Sequence, residues 1–372
     1  MKKLLFCLLS IDTSVGNIDN QEKTLIEIKK YLSPIIKHVY ISEISQNNKP
    51  SLIISTYKTK ELKFVLTGHM DVVPATYDKA FKPYDQDGKI YGRGVMDMKG
   101  QNVAMIEAFK EIVESCLESK KKLPDMALIF TNDEEIGGFD GIGYIFNPDG
   151  LGYSCEVAFL PDGGKNWKLV TDQKAILQLQ VVFTGKSAHG SRPWLGENAI
   201  EKAIRFYNYL EGEWNKKYRE ATVEDRWKPT LNLGVFNGGE TTNKVADKAE
   251  ISLDIRFPVE YTVKELETLV TECAKKFNGT VEKKTYGNAM NIKKQNRWVK
   301  SWVKSVEKVT GQRIQFEKED GASDARHLSN IGVPVIVSMS TGNNHHADNE
   351  WIEWQGLVGF KNCIIEWIMS NN

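Results

Sequence analysis

The sequence has little cysteine, no excess of either charge and no long apolar run. Its five cysteines, at positions 7, 116, 155, 273 and 363, are odd in number and widely spaced, and no CxxC pair occurs. That argues against a disulfide framework and against a cysteine zinc site, and it fits a reducing, cytoplasmic compartment. Lys plus Arg and Asp plus Glu number 49 each. With no basic excess there is no electrostatic footprint for nucleic acid or for an anionic membrane. No apolar run approaches the roughly 20 residues of a membrane span. The opening MKKLLFCLLSI begins like a secretory leader, but DTSVGNIDNQ follows without a small-residue cleavage site, so a first amphipathic helix is expected. Internal repeats and low-complexity segments are absent too.

The chain has 372 residues, 41% of them hydrophobic. That is more than one core usually spans, so two domains are expected. Short apolar runs at Phe64 to Leu66, Ala127 to Phe130, Val157 to Leu160 and Val333 to Met339 alternate with helical patterns. Continuous apolar runs suit strands buried on both faces of a mostly parallel sheet with helices on both sides, an α/β architecture. In residues 100 to 119, Val103, Ile106, Phe109, Val113 and Cys116 recur at helical spacing. The middle differs: ILQLQVVFT (176 to 184) and EISLDIRF (250 to 257) alternate apolar and polar, as strands with one wet face do. Residues 174 to 288 are therefore expected to form an inserted α+β domain, with 1 to 173 and 289 to 372 completing the first sheet.

Each buried strand is followed by a polar motif. TGHMDVVP brings His69 and Asp71, TNDEE brings Asp133, Glu134 and Glu135, PDGG brings Asp162, and STGNNHHADNE brings His345 and His346. Ligands of open α/β sheets bind outside the carboxyl ends of the strands. A fifth motif, YGRGVMDMKG, places Asp97 at the entrance of the 100 to 119 helix. Imidazole and carboxylate without thiolate suit zinc, though cobalt or manganese accept the same donors. Two histidines and three carboxylates exceed one catalytic zinc and suit two ions about 3.5–4 Å apart. Such a pair explains three adjacent acids, since bound cations invert their mutual repulsion.

GHMDVVP, YGRGVMDMKG, TNDEEIGG, LPDGG, GKSAHGSRPWLGENA and HHADNE, in this order, resemble the dinuclear zinc peptidase and deacylase family. That family includes succinyl-diaminopimelate desuccinylase, acetylornithine deacetylase, aminoacylase, carboxypeptidase G and several dipeptidases. The resemblance covers nearly the whole chain. It implies His69, Asp97, Glu135, Asp162 and His346 as ligands of two zinc ions, with Asp97 bridging and His345 a neighbour. It implies Asp71 as the partner of the second ring nitrogen of His69, and Glu134 as general base. The inserted domain corresponds to a lid that joins two subunits, and His189 to a histidine that enters the partner's active site. Asn243, Arg256 and Arg326 match positions that face substrate. The desuccinylase and acylase branches place Glu where this chain has Asp162, whereas Asp is commoner among dipeptidases and aminopeptidases.

The expectation is a zinc-dependent amidohydrolase, active as a homodimer, that releases the acyl group of a small carboxylate-bearing N-acyl amino acid. A dipeptidase or carboxypeptidase of the same family is the alternative. A metal-free binding protein on this fold and a single-metal hydrolase of another family stand further off.

Overall fold

The structure is a computed structural model that describes residues 1–75, 77, 79–219, 222–223 and 225–372. The chain divides into two units. The first comprises Met1–Thr171, Asn291–Glu319 and Ser323–Asn372, and the second Asp172–Met290 with Asp320–Ala322.

The first unit is built on a six-stranded mixed sheet. Its order is Tyr40–Gln46, Lys49–Ser55, Met126–Thr131, Glu61–His69, Ser154–Phe159 and Val335–Ile336. The last four run parallel to one another and the first two are antiparallel additions at one edge. The expected α/β class is the observed one. Phe64 and Val65, on opposite faces of their strand, are both fully buried, which is why the run is apolar without alternation. On one face Phe64 meets Trp298 and Trp367 edge-on, at 5.5 and 5.4 Å between ring centres, from the helices Arg297–Thr310 and Trp354–Asn371. Helix Gly100–Glu118 covers the same face: a Cβ on Gly68 would collide with Asn102. On the other face the short Ile142–Phe146 helix begins where Gly141 presses on Thr131. The N-terminal segment forms the helix Lys2–Leu9 and buries Leu4, Leu5, Leu8 and Leu9. Among the described residues no helix is long and apolar enough to cross a membrane.

One expectation is corrected in extent. Of the Val333 to Met339 run, only Val335–Ile336 pairs as a strand. Beyond it the backbone bonds a neighbouring segment instead: Val170 N–H, in the strand Leu169–Gln173, donates to the Val337 carbonyl, and Trp167 N–H, in the loop before it, to that of Met339.

The second unit is a four-stranded antiparallel sheet ordered Thr230–Gly238, Lys248–Phe257, Ala175–Thr184, Gly279–Gly287. Leu177, Leu179, Val181 and Phe183 alternate onto one face, where Phe206 and Leu210 of helix Ala199–Tyr218 and Leu266 and Val270 of helix Val263–Lys275 cover them. Gln178 and Gln180 fall on the other face, the alternation expected of a sheet wetted on one side.

Candidate metal centre

Because the central strands are parallel, their carboxyl ends lie along one edge, and each hands over to a polar loop there. His69 is the last residue of its strand, and Glu134–Ile136 forms a single turn three residues after Met126–Thr131. Asp162 follows Ser154–Phe159 by the same interval. His346 lies on the loop between Gly342–Asn343 and Trp351–Glu353. Asp97 sits just before helix Gly100–Glu118 with φ −126° and ψ 93°, so its backbone is extended and is not yet part of the helix.

The side chains meet in two triplets, His69–Asp97–Asp162 and Asp97–Glu135–His346, the potential ligand atoms of each lying within 4.8 Å of one another. Asp97 belongs to both. Its Oδ1 lies 3.0 Å from His69 Nε2 and its Oδ2 3.0 Å from His346 Nε2. Glu135 Oε1 is 3.2 Å from the same His346 nitrogen. Ligands around a tetrahedral zinc at 2.0–2.2 Å sit about 3.4 Å apart, so the spacing needs only a small expansion to admit ions.

The electrostatics point the same way. Burial, opposed and outweighed by hydrogen bonds from His346 and His69, leaves the Asp97 carboxyl below its ordinary range. Asp162 has no such help: burial first, then the charge of Asp97, pushes it up. Burial and the charge of Asp162 do the same to Glu134. Hydrogen bonds to Asp97 and Glu135 raise His346 to about 10. A cluster of carboxylates that holds protons for want of positive charge is a cluster that divalent cations fit.

Around these side chains lies a scaffold of backbone bonds. Glu350 is wholly buried, and its carboxylate accepts from the backbone N–H of Gly94, Met96 and Asp97 (2.9, 2.7 and 3.0 Å) and from Arg93 Nη1 (2.9 Å). It thereby fixes the loop that presents Asp97. Buried Lys99 ties the same loop to the first helix by donating to the carbonyls of Leu8 and Ile11. The turn that carries Glu134 and Glu135 is gripped from both sides. Asp71 Oδ2 accepts the Glu135 N–H at 3.1 Å, while Arg326 Nη2 and His327 Nε2 both donate to the Gly137 carbonyl, at 2.6 and 2.9 Å. Gly138 has φ +63° and a Cβ there would stand 1.8 Å from Asp324 Oδ1, so the second glycine of EEIGG is required by a neighbouring acid as well as by its turn.

His69 Nδ1 lies 2.9 Å from the Asp71 main-chain carbonyl and 3.5 Å from Asp71 Oδ1, while Asp71 Oδ2 accepts the Glu135 N–H, so Asp71 faces the ring by both carbonyl and carboxylate. Several sequence expectations need correction. Arg326 is not free for substrate: it is buried, and its guanidinium holds the carbonyls of Gly137 and Ser323. Arg256 is engaged by its own strand neighbour, with Nε 2.8 Å from Asp254 Oδ1 and Nη2 3.2 Å from Oδ2. His189 and Asn243 are exposed and adjacent, since the Gly190 N–H donates to the Asn243 carbonyl at 2.7 Å. Arg256 pairs with Ile176 at the opposite end of that sheet, eight residues along the strand from Lys248, about 27 Å. His345 stays outside both triplets, its Nδ1 accepting a hydrogen bond from Lys165. Glu350, Arg93, Lys99, His327 and Asp324 were not among the expected site residues. For Glu350 the motif HHADNE carried a signal, an acid four residues after the expected ligand His346.

Comparison with known proteins gives a consistent answer. The model of peptidase family M20/M25/M40 matches residues 65–368. An acetylornithine deacetylase of Pasteurella multocida is 28% identical over 254 residues, 64% of this chain and 62% of that enzyme. A probable carboxypeptidase of Aspergillus clavatus is 27% identical over 73% of this chain and 66% of its own length, so the chain spans just under two thirds of these two relatives. A succinyl-diaminopimelate desuccinylase of Rickettsia bellii is 24% identical over 92% of this chain and 90% of its own. Among solved structures, an M20 family metallo-carboxypeptidase of Sulfolobus solfataricus has the same fold, with TM-score 0.80 at 18% identity over 99% of this chain and 98% of that one. With five of the five expected ligands gathered at one sheet edge and a family model spanning that edge, the chain belongs to peptidase family M20/M25/M40, a family of metal-dependent hydrolases that act on amide bonds.

Proposed function

We propose that this chain is a zinc-dependent amidohydrolase that releases the acyl group of a small N-acyl amino acid, with one ion in each triplet and Asp97 between them. The observation that carries this reading is the placement of the two Asp97 oxygens, each 3.0 Å from a different histidine. Zinc bound there supplies polarisation of the scissile carbonyl and an acidified water. Glu134 lies beside the ligand Glu135 but in neither triplet, which leaves its carboxylate available. It takes a proton from the attacking water and delivers it to the departing amine. The raised affinity of Glu134 for a proton, caused by burial and by Asp162, suits a group that must hold a proton and then give it up. Asp71, Arg326 and His327 hold the turn on which it stands.

We infer further that the second unit is a lid through which two chains dimerise, and that His189 serves a second copy by stabilising the oxyanion that forms on the substrate carbonyl. His189 and Asn243 follow the Thr184 and precede the Lys248 ends of their strands, and among the described residues their side chains bond Ser191 and Thr241 of the same loops. The edge strand Thr230–Gly238 leaves Val235 and Phe236 exposed, a surface suited to a self-complementary contact. All five cysteines are free thiols, which supports a cytoplasmic setting.

A dipeptidase or carboxypeptidase is the second reading, and the aspartate at 162 favours it. The test is hydrolysis of N-succinyl-diaminopimelate, N-acetylornithine and other N-acyl amino acids against a dipeptide panel, with zinc or cobalt present. Turnover confined to dipeptides selects the second reading, and no hydrolysis of any amide removes both.

A further inference from the structure

We propose that Lys165 is the cation that receives a carboxylate of the substrate beside the metal centre, so that the enzyme selects substrates carrying an anion close to the scissile amide. The inference rests on the hydrolase reading above. It begins from the loss of Arg326, whose buried guanidinium is committed to backbone carbonyls. A carboxylate-bearing substrate then needs another cation in the first unit.

Lys165 stands three residues after Asp162 on a loop that is built, not slack. Gly163 and Gly164 have φ +143° and +72°, and a Cβ on Gly164 would meet the Lys168 carbonyl at 2.4 Å. The Gly164 N–H donates to Glu319 Oε1 at 2.8 Å, and the Met339 N–H to the Gly164 carbonyl at 3.1 Å. Asn166 N–H reaches the Ser340 carbonyl at 3.3 Å, and Trp167, nearly buried, packs against Phe360 with ring centres 5.7 Å apart. The loop is thus stitched to the segment that leads to His345 and His346. From it the Lys165 ammonium donates to His345 Nδ1, one residue from the ligand His346, whose ring centre is 5.4 Å from that of His345.

Among the described residues no carboxylate comes within 4.0 Å of the Lys165 ammonium. Glu319 is occupied by the Gly164 N–H and Glu317 by Lys168 at 2.8 Å. The charge of Glu319, then those of Asp97, Glu317 and Asp162, act on Lys165, and its contact with His345 sets it one residue along the chain from His346. A half-buried cation there works against metal binding unless something compensates. Asp97, Glu134, Glu135 and Asp162 bring four negative charges, which two divalent ions balance. With those carboxylates engaged by the ions, a substrate carboxylate is the anion that would reach Lys165 directly. His345 takes one of its three N–H groups and fixes its direction, leaving two for the two oxygens of a carboxylate.

The test uses zinc-loaded full-length protein, with Lys165→Met and Lys165→Arg as variants. Three substrates, N-succinyl-alanine, N-acetyl-alanine and N-acetyl-alaninamide, separate a carboxylate on the acyl group from one on the amino acid. Lys165→Met is expected to raise KM by about 10- to 100-fold for the substrate whose carboxylate is held, the range of a charged hydrogen bond. Its kcat and zinc content stay the same, its effect on the partner lacking that carboxylate is under about twofold, and Lys165→Arg restores binding. A rise confined to N-succinyl-alanine places the acyl carboxylate on Lys165. A rise on both acids and not on the amide places the amino-acid carboxylate there. A loss that is equal on all three, a loss of zinc, or no change overturns the proposal. Calorimetry of the same compounds in a Glu134→Gln background, with and without Lys165→Met, reads binding apart from turnover. If the wild-type chain hydrolyses none of the three, the N-acyl amino acid reading fails for these acyl groups while the dipeptidase reading stands, and the calorimetry still decides whether Lys165 holds a carboxylate.

Discussion

The two units treat their polar residues in opposite ways. In the first, His69, Asp71, Asp133, Arg326 and Glu350 are buried and bonded to one another or to loop backbone. In the second, His189 and Asn243 are exposed, and the nearest hydrogen-bond partners of their side chains are Ser191 and Thr241 of their own loops. Burying ionisable groups costs several kcal/mol each unless they are paired. A fold that buries this many has committed that unit to a fixed site. An exposed histidine carries no such cost and no such fixed role, and its use depends on the surface it is brought against. The first unit is therefore expected to bind metal as it stands, and the second to contribute only on assembly.

The contrast breaks most visibly at Glu134. Glu134→Gln is expected to keep both ions and lower kcat by about 10²–10⁴-fold. Metal analysis beside the kinetics checks it, and loss of metal would mean that Glu134 and Glu135 exchange roles. Next in size is His189→Ala, expected to lower kcat by about 10²–10³-fold with metal content intact. Mixing inactive His189→Ala and Glu134→Gln chains should restore activity once subunits exchange. Exchange without recovery would confine His189 to its own chain.

A smaller effect sharpens the picture of the first unit. His327→Leu removes one of two donors to the Gly137 carbonyl and should lower kcat by about tenfold at unchanged KM, since slight misplacement of a catalytic group is costly. His327→Gln, which can donate from a similar position, should recover most of that activity, and no difference between the two would remove the hydrogen bond from the account. The smallest effect on turnover is expected at Lys99, where burial lowers the ammonium to about 7 from 10.5. Between those values the unfolded chain binds more protons than the folded one, so stability rises with pH across that window and is flat below it. Urea unfolding of metal-free protein from pH 6 to 10 should lose this component in Lys99→Met. An unchanged slope would show that Lys99 keeps its ordinary affinity for a proton in the folded chain.

What the sequence made legible follows the same division. Most candidate ligands are legible because parallel strands end at one edge and an apolar run is closely followed by its polar motif, while the full ligand set is what the six motifs' resemblance to the family implies. The uses of Asp71 and Arg326 could not be found that way. Both stand in recognisable motifs, but whether a guanidinium meets a substrate or a buried carbonyl depends on a contact between segments nearly 190 residues apart, Gly137 and Arg326. Glu350 escaped for the same reason, since its partners are backbone N–H groups, which are alike at every position. In the second unit, periodicity over 176 to 184 and 250 to 257 marks the central strands Ala175–Thr184 and Lys248–Phe257, while of the two edge strands Gly279–Gly287 carries little alternation and Thr230–Gly238 alternates only over its first six residues before a bulge and exposed glycines interrupt it.

The central claim is that one aspartate organises two metal sites, and metal stoichiometry tests it most directly. Zinc should be titrated into metal-free wild-type protein, Asp97→Ala and Asp162→Ala, with bound metal measured per chain. The expected result is two tightly bound ions in the wild type, one in Asp162→Ala and none in Asp97→Ala. A wild type that saturates with one ion, or an Asp97→Ala chain that still holds two, would contradict the account.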